Sequence, residues 1–160
     1  MAKKVKVKKT LVEQILTKAG VDHQGIQINA LEGELPSNYD RNHIFKTLAL
    51  LGDKTGPVIG IVPITEHLSE KKLAKISGNK KVAMIPQKDL EKKTGYIHGA
   101  NNPVGIRQKH NYPIFIDETA LELEKLIVSA GEVGHSIIIA PKDLANFVKA
   151  SFVDILEEIN

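Results

Sequence analysis

Thr94-Gly95-Tyr96-Ile97-His98-Gly99-Ala100-Asn101-Asn102-Pro103-Val104-Gly105 is the stretch on which the reading of this 160-residue chain turns, and Ile106, Arg107, Gln108 and Lys109 follow it at once. Three glycines, a proline and two asparagines argue against a regular helix or strand there, because glycine loses more conformational freedom than other residues and proline lacks the backbone donor. The stretch reads as a loop. Glycines leave its backbone N–H groups uncovered, which suits contact with an anion or a developing oxyanion. An ordinary surface connection has the same local composition, so the rest of the chain must decide.

Working outward toward the N-terminus, Gln87 to Lys93 reads as a short helix and Val82 to Ile85 as a short buried strand. Ser69 is placed to cap a helix running through Ile76, with Gly78 as its stop. Val58 to Ile64 and Ile44 to Leu51 form a hairpin across Gly52-Asp53-Lys54-Thr55-Gly56. In the earlier of these strands, period-two alternation sends Ile44, Lys46, Leu48 and Leu50 to one face. Lys46 then either snorkels to an edge or points into a lined cavity to meet an anion, since an unpaired buried ammonium is costly. Ile26, Ile28 and Ala30 alternate as a further strand before the polar segment Glu32 to Asn42. Thr10-x-x-Glu13 is a capping box opening an apolar-striped helix that ends at Gly20. Residues 1–9 form a basic tail.

Toward the C-terminus, Ile114 and Ile116 mark a strand, Thr119 to Glu124 a helical turn, and Leu126 to Ser129 a strand. Gly134 to Ala140 is its hairpin partner. Ile137, Ile138 and Ile139 are all apolar, so that strand is expected to be covered on both faces. Pro141 starts a helix whose Leu144, Phe147 and Val148 share a face. Hairpins mixed with helices, without a repeat or linker, predict a single α+β domain over residues 10–160, built on one strongly bent, partly barrel-like mixed sheet with flanking helices.

The composition, 42% hydrophobic and 26% charged, is that of a globular domain. There is no cysteine, which excludes disulfides, thiolate metal sites and a protein thiol nucleophile. No apolar run approaches the roughly 20 residues needed to cross a bilayer, so a cytoplasmic protein without membrane contact is expected. The formal charge of +3 is carried by the tail: without Lys3, Lys4, Lys6, Lys8 and Lys9, 17 basic residues face 19 acidic ones. The charge that remains is unevenly placed. Eight lysines between Lys71 and Lys93 outweigh Asp89 and Glu91, and Arg107 and Lys109 extend the positive run past the glycine loop. Such a strip suits docking of an RNA end, or is a solvated lysine-rich face.

Familiar catalytic signatures are missing. The chain has no Gly-x-Ser-x-Gly elbow, Walker loop, His-Glu-x-x-His or dinucleotide fingerprint. Its histidines, His23, His43, His67, His98, His110 and His135, lack metal-ligand spacing, so neither metal nor cofactor is expected. His98 alone lies in the key loop, facing either substrate or solvent.

Gly95-Tyr96-x-x-Gly99-Ala100-x-Asn102-Pro103-x-Gly105 resembles the glycine-rich loop of the YbaK/EbsC family of prolyl-tRNA editing proteins. Phe45-Lys46-Thr47-Leu48 resembles that family's lysine-bearing strand, and Ile127-Val128-Ser129-Ala130-Gly131 with Gly134 its second small-residue loop. Shorter matches include Lys80-Lys81-Val82, Ile116-Asp117, Thr119-Ala120-Leu121-Glu122 and Ala140-Pro141-Lys142-Asp143-Leu144-Ala145. The likeness covers about residues 10 to 158. It implies a trans-acting aminoacyl-tRNA deacylase that clears mischarged tRNA, above all cysteine wrongly attached to proline tRNA. The implied partner is the tRNA acceptor end with its aminoacyl-adenosine, and a prolyl-tRNA synthetase is a candidate second partner. It also implies that the substrate's own thiol cleaves the ester, which removes the need for a protein nucleophile.

Carried over by position, the resemblance gives Lys46 and the glycine-loop residues Gly99 and Ala100 the catalytic roles, the lysine as a cation and the two loop residues as backbone donors to the carbonyl. Thr47, His98, Pro103, Gly105, Ser129, Gly131 and Ser136 would bind substrate, with Pro103 and Gly105 fixing the loop's shape. The chain departs from the pattern at several points. Glu132 and Val133 stand where relatives carry a basic pair, Ser136 replaces an acidic residue, His98 and Ala100 replace an aliphatic residue and a glycine, and no tyrosine lies near Ile28. These changes surround the site and bear on which amino acid is removed. A non-catalytic regulatory protein binding a nucleotide or RNA end on the same fold is the competing reading.

Overall fold

The computed structural model describes residues 9–27, 35–36 and 38–158. The expected strand residues Ile28 and Ala30, and the tail up to Lys8, lie outside the described residues. Thr10 opens the first helix, α1 (Leu11–Lys18): its hydroxyl accepts from the Glu13 N–H at 3.2 Å, and the Glu13 carboxylate accepts from the Thr10 N–H at 2.7 Å. Two donors that a helix start leaves orphaned are thus satisfied. In chain order follow β1 (Gln24–Gln27), β2 (Phe45–Gly52), β3 (Gly56–Pro63), α2 (Glu70–Ser77), β4 (Val82–Met84), α3 (Gln87–Thr94), α4 (Pro103–Lys109), β5 (Ile114–Asp117), β6 (Leu126–Glu132), β7 (His135–Ile139), α5 (Pro141–Val148) and β8 (Ser151–Val153).

The architecture is α+β, as expected, but the single bent sheet is two. One has the order β1-β7-β6 and is antiparallel; the other, β4-β2-β3-β5-β8, is mixed, with β5 parallel to both β3 and β8. The reason lies in the edges of β2. β3 occupies one edge along its whole length, β4 takes the other from Leu50 onward, and β6 meets β2's end only at the parallel bridge Ile44↔Ile127. Between β4 and that bridge, the first half of β2 has no strand beside it on that edge among the described residues. This gap is where a cavity opens.

The main core lies between the sheets, where Phe45, Ala49, Ile59 and Ile61 meet Val128, Ile137 and Ile139, with Leu16, Ile106 and Leu144 closing it from α1, α4 and α5. Leu50, Val58 and Val62 pack on the other face with Leu73 and Ala74 of α2. Ile44, Ile127 and Ile138 form a third cluster at the junction of the sheets. The three isoleucines of β7 are thereby covered on both faces, as their unbroken apolar run predicts.

Two elements differ from the expectation. β4 is an edge strand with Ala83 and Met84 exposed, so only Val82 is buried within it. Pro103 and Gly105 belong to a helix rather than to the loop. Pro103 occupies its first turn, where a missing N–H costs nothing, and the Asn102 side chain caps it by accepting from the Gly105 N–H at 2.6 Å. The loop proper therefore ends at Asn102.

The β2–β3 hairpin, which carries Lys46, is pinned from outside by a single buried side chain. Asn79 Oδ1 accepts from the N–H groups of Lys54 (2.8 Å) and Thr55 (3.0 Å), while its Nδ2 donates to Thr55 Oγ1 and Ser77 Oγ. Asn79→Ala strands these donors and is expected to lower stability by about 1–3 kcal/mol. Urea titration followed by circular dichroism checks this; an unchanged midpoint would mean the turn holds itself.

Candidate active site

A cavity of about 430 Å³ opens at the gap beside β2, within the roughly 300–1,000 Å³ range of small-ligand sites. Its walls come from β2, from the loop after α3, from the β6–β7 hairpin and from the start of α3. Lys46, Thr47, His98, Gly99, Ser129 and Ser136 all line it, so the structure brings together six of the residues singled out by sequence.

Ala100, Pro103, Gly105 and Gly131 do not line the cavity. Ala100 is buried and its N–H donates to the Ile97 carbonyl at 3.0 Å, so this donor is already used inside the turn. Pro103 and Gly105 are buried in α4. Gly131, at a φ of +92°, sits at the irregularity in β6 and packs toward Val12, Asn102 and Tyr96. These four residues shape the walls from behind. Arg41, Gln87, Asn101 and His135 also line the cavity, although the sequence reading gave none of them a role there.

The loop wall is held along its length. Thr94, fully buried at the end of α3, donates to the carbonyls of Leu90 and Tyr96 and accepts from the Tyr96 N–H. Lys109 Nζ lies 4.4 Å from the centroid of the Tyr96 ring, a cation–π contact that ties α4 back to the loop start. At the far end, Asn102 Nδ2 donates to the Ala100 carbonyl at 3.0 Å. In the middle, Asn101 Nδ2 donates to the Thr47 carbonyl at 3.1 Å, standing where a neighbouring strand would otherwise pair with β2. Gly99, at a φ of +91°, turns the chain at the cavity surface.

On the opposite wall, Ser129 and Ser136 face each other across β6 and β7. Ser129 Oγ accepts from the Gly131 N–H at 3.2 Å, which leaves its own O–H able to donate.

The electrostatics of the site are one-sided. Lys46 is half-buried and Arg41 exposed, and among the described residues neither forms an ion pair and no carboxylate lines the cavity. Uncompensated positive charge beside low-dielectric walls attracts an anion or a carbonyl that develops negative charge. Among the described residues no group of three or more His, Asp or Glu side chains converges. Two polar atoms of the wall, Thr47 Oγ1 and Asn101 Oδ1, are buried without a hydrogen-bond partner among the described residues. An orphaned buried group of this kind costs about 1–3 kcal/mol.

Comparison with known proteins identifies the family. The chain belongs to the aminoacyl-tRNA editing domain family, whose profile matches residues 35–147. A protein of Enterococcus faecalis named as a candidate Cys-tRNA(Pro)/Cys-tRNA(Cys) deacylase, EbsC, is 43% identical over 116 residues, covering 72% of this chain and 70% of that protein. Among solved structures, a candidate trans-editing enzyme for prolyl tRNA synthetase superposes with a TM-score of 0.77 at 19% identity, covering 92% of this chain and 95% of the other. A scaffold protein solved for epitope backbone grafting gives a TM-score of 0.81 at 22% identity, covering 92% and 96%. The two superpositions establish the shared fold, and the YbaK-type resemblance read from the sequence is upheld. Among the described residues no helix is long and apolar enough to cross a membrane.

Proposed function

We propose that this protein is an aminoacyl-tRNA deacylase acting in trans, and that its preferred substrate is cysteine esterified to proline tRNA. The observation that carries this reading is a Lys46 without an ion-pair partner among the described residues, in a cavity of single-nucleoside size, with the Gly99 turn forming another part of its wall. The 3′-terminal aminoacyl-adenosine fits such a space. Arg41 and Lys46 are suited to the phosphate or to charge at the ester, and Gly99 to the carbonyl. Among the described residues the Gly99 N–H donates no hydrogen bond to the protein, so it is available as an oxyanion donor.

No protein nucleophile is required. The cysteinyl sulfur attacks the ester carbonyl carbon, the carbon–oxygen bond to the ribose breaks, and the thiol proton passes to the departing ribose oxygen. The products are free tRNA and a four-membered thiolactone that water opens later. Holding thiol and ester in attack geometry contributes about 7–11 kcal/mol, from which ring strain subtracts. A backbone donor on the oxyanion adds about 2.7–4 kcal/mol. These terms suffice without a Ser-His-Asp arrangement.

The same chemistry sets selectivity. A pocket that measures only size separates side chains one methylene apart by about 1–3 kcal/mol, whereas alanyl and prolyl esters have no thiol to attack with. Wild-type protein is therefore expected to release tRNA from cysteinyl-tRNA(Pro) at least tenfold faster than from alanyl-tRNA(Pro). Single-turnover deacylation with both substrates tests this; equal rates would replace the thiol-assisted route with attack by water. A cavity that encloses only the aminoacyl tip reads little of the tRNA body, and we propose prolyl-tRNA synthetase as the partner that supplies the correct tRNA.

A further inference from the structure

We infer that Asn101 and Thr47 form a paired acceptor for the substrate's α-ammonium group, and so act as specificity-determining residues. The inference rests on the deacylase reading above and deepens it. Asn101 is 8% exposed and Thr47 9% exposed, and both are part of the cavity wall. The orientation of the Asn101 carboxamide is fixed by its Nδ2 donating to the Thr47 carbonyl at 3.1 Å. Turned over, Oδ1 would face that carbonyl oxygen, acceptor against acceptor. Oδ1 is therefore held away from β2, and among the described residues neither it nor Thr47 Oγ1 has a hydrogen-bond partner.

The partner missing from Asn101 Oδ1 must be a donor, the Thr47 hydroxyl can accept from the same donor, and the chemistry of an aminoacyl ester offers one. Its phosphate and ester carbonyl are acceptors, matched by Arg41, Lys46 and the Gly99 N–H. Its α-ammonium carries three donors and no acceptor. Among the described residues no aspartate or glutamate lines the cavity to receive that ammonium. Neutral oxygens on Asn101 and Thr47 can receive it without cancelling the positive charge of Lys46. Their placement fits the task. Asn101 lies two residues past Gly99 and reaches the Thr47 carbonyl, so an amine held between Asn101 and Thr47 sits near the Gly99 turn, with Lys46 projecting from the other face of β2 at the same open edge.

The test uses two esters of the same tRNA, cysteinyl and 3-mercaptopropionyl, which share the thiol and its distance from the carbonyl and differ in the α-amine. For each protein the quantity read is the ratio of kcat/KM for the two esters, and because both are cleaved by one preparation, any loss of folded protein cancels. The ratio is expected to fall at least about tenfold from wild type in Thr47→Val, which preserves shape and the backbone carbonyl that holds Asn101. A similar fall is expected in Asn101→Leu. Ratios within twofold of wild type in both variants would overturn the inference while leaving the deacylase reading in place. Failure of wild-type protein to cleave the cysteinyl ester would overturn both together.

Discussion

Lys46→Ala lowers kcat/KM for cysteinyl-tRNA about 100-fold or more, the range seen when one preorganised electrostatic contact to a developing charge is removed. The expectation follows from the place of this lysine in the sheet. β2 holds it rigidly between β3 and the unpaired edge, opposite Val62 in the ladder, and it lines a cavity with no carboxylate among its described walls. Among the described residues its charge enters no salt bridge. The thermal midpoint should accordingly stay close to that of the wild type, separating loss of chemistry from loss of structure. Lys46→Arg keeps the charge but spreads it over a planar fork, so it should recover only part of the rate. Single-turnover kinetics with a parallel melting curve check both variants, and an alanine variant within threefold of wild type would remove Lys46 from the mechanism.

Gly105→Ala is expected to unfold the site from behind. In an exposed helix interior, replacing glycine by alanine stabilises by about 1 kcal/mol. Here the sign reverses. A Cβ at position 105 would fall on the Tyr96 hydroxyl and ring, which pack directly against the α4 backbone. Tyr96 cannot simply swing away, because Thr94 holds its backbone and Lys109 lies over its ring. Overpacking of this kind costs about 1–3 kcal/mol, a fall in Tm of about 2–4 °C per kcal/mol for a chain of this size. Activity should fall as well, since displaced Tyr96 carries the 95–102 loop with it. Combining Gly105→Ala with Tyr96→Leu should recover part of the lost stability, because the two changes share one contact. Differential scanning calorimetry of the single and double variants measures this; a stabilised Gly105→Ala protein would contradict the packing argument.

The parts of the fold legible in the sequence were those where local chemistry and tertiary structure agree. Thr10 and Glu13, Ser69 and Gly78, and Pro141 set helix boundaries through caps that need no distant partner. The hairpin at Gly52–Gly56 was legible for the same reason. Missed elements depend on distant partners. β8 is three residues long and exists because β5 offers it a parallel edge. The division into two sheets depends on which strand occupies each edge of β2, and residue types do not encode that. The α4 start is a different case. Asn102 followed by Pro103 is a recognisable helix-opening pair, but two flanking glycines outweighed it in the local reading.

The site was legible to a similar degree. Lys46 stood out as a cation among aliphatic neighbours, and the glycines and serines marked approachable backbone. Asn101 was hidden in plain view, because its importance comes from reaching β2, 54 residues earlier in the chain, to occupy a carbonyl that no strand covers. The local sequence marks Asn102 beside it, which precedes Pro103 and caps a helix, but carries no such mark for Asn101.

The two sheets touch beside the cavity through one backbone bridge, Ile44↔Ile127, with Ile138 packed against it. Lys46 hangs from one sheet and Ser129 from the other, each two residues from that bridge. The opposing walls therefore behave as the jaws of a caliper whose pivot is a knot of three isoleucines. Trimming Ile127 or Ile138, neither of which lines the cavity, by a methyl group is expected to alter the jaw opening from the interior, so the fold can be retuned to acyl groups of different girth.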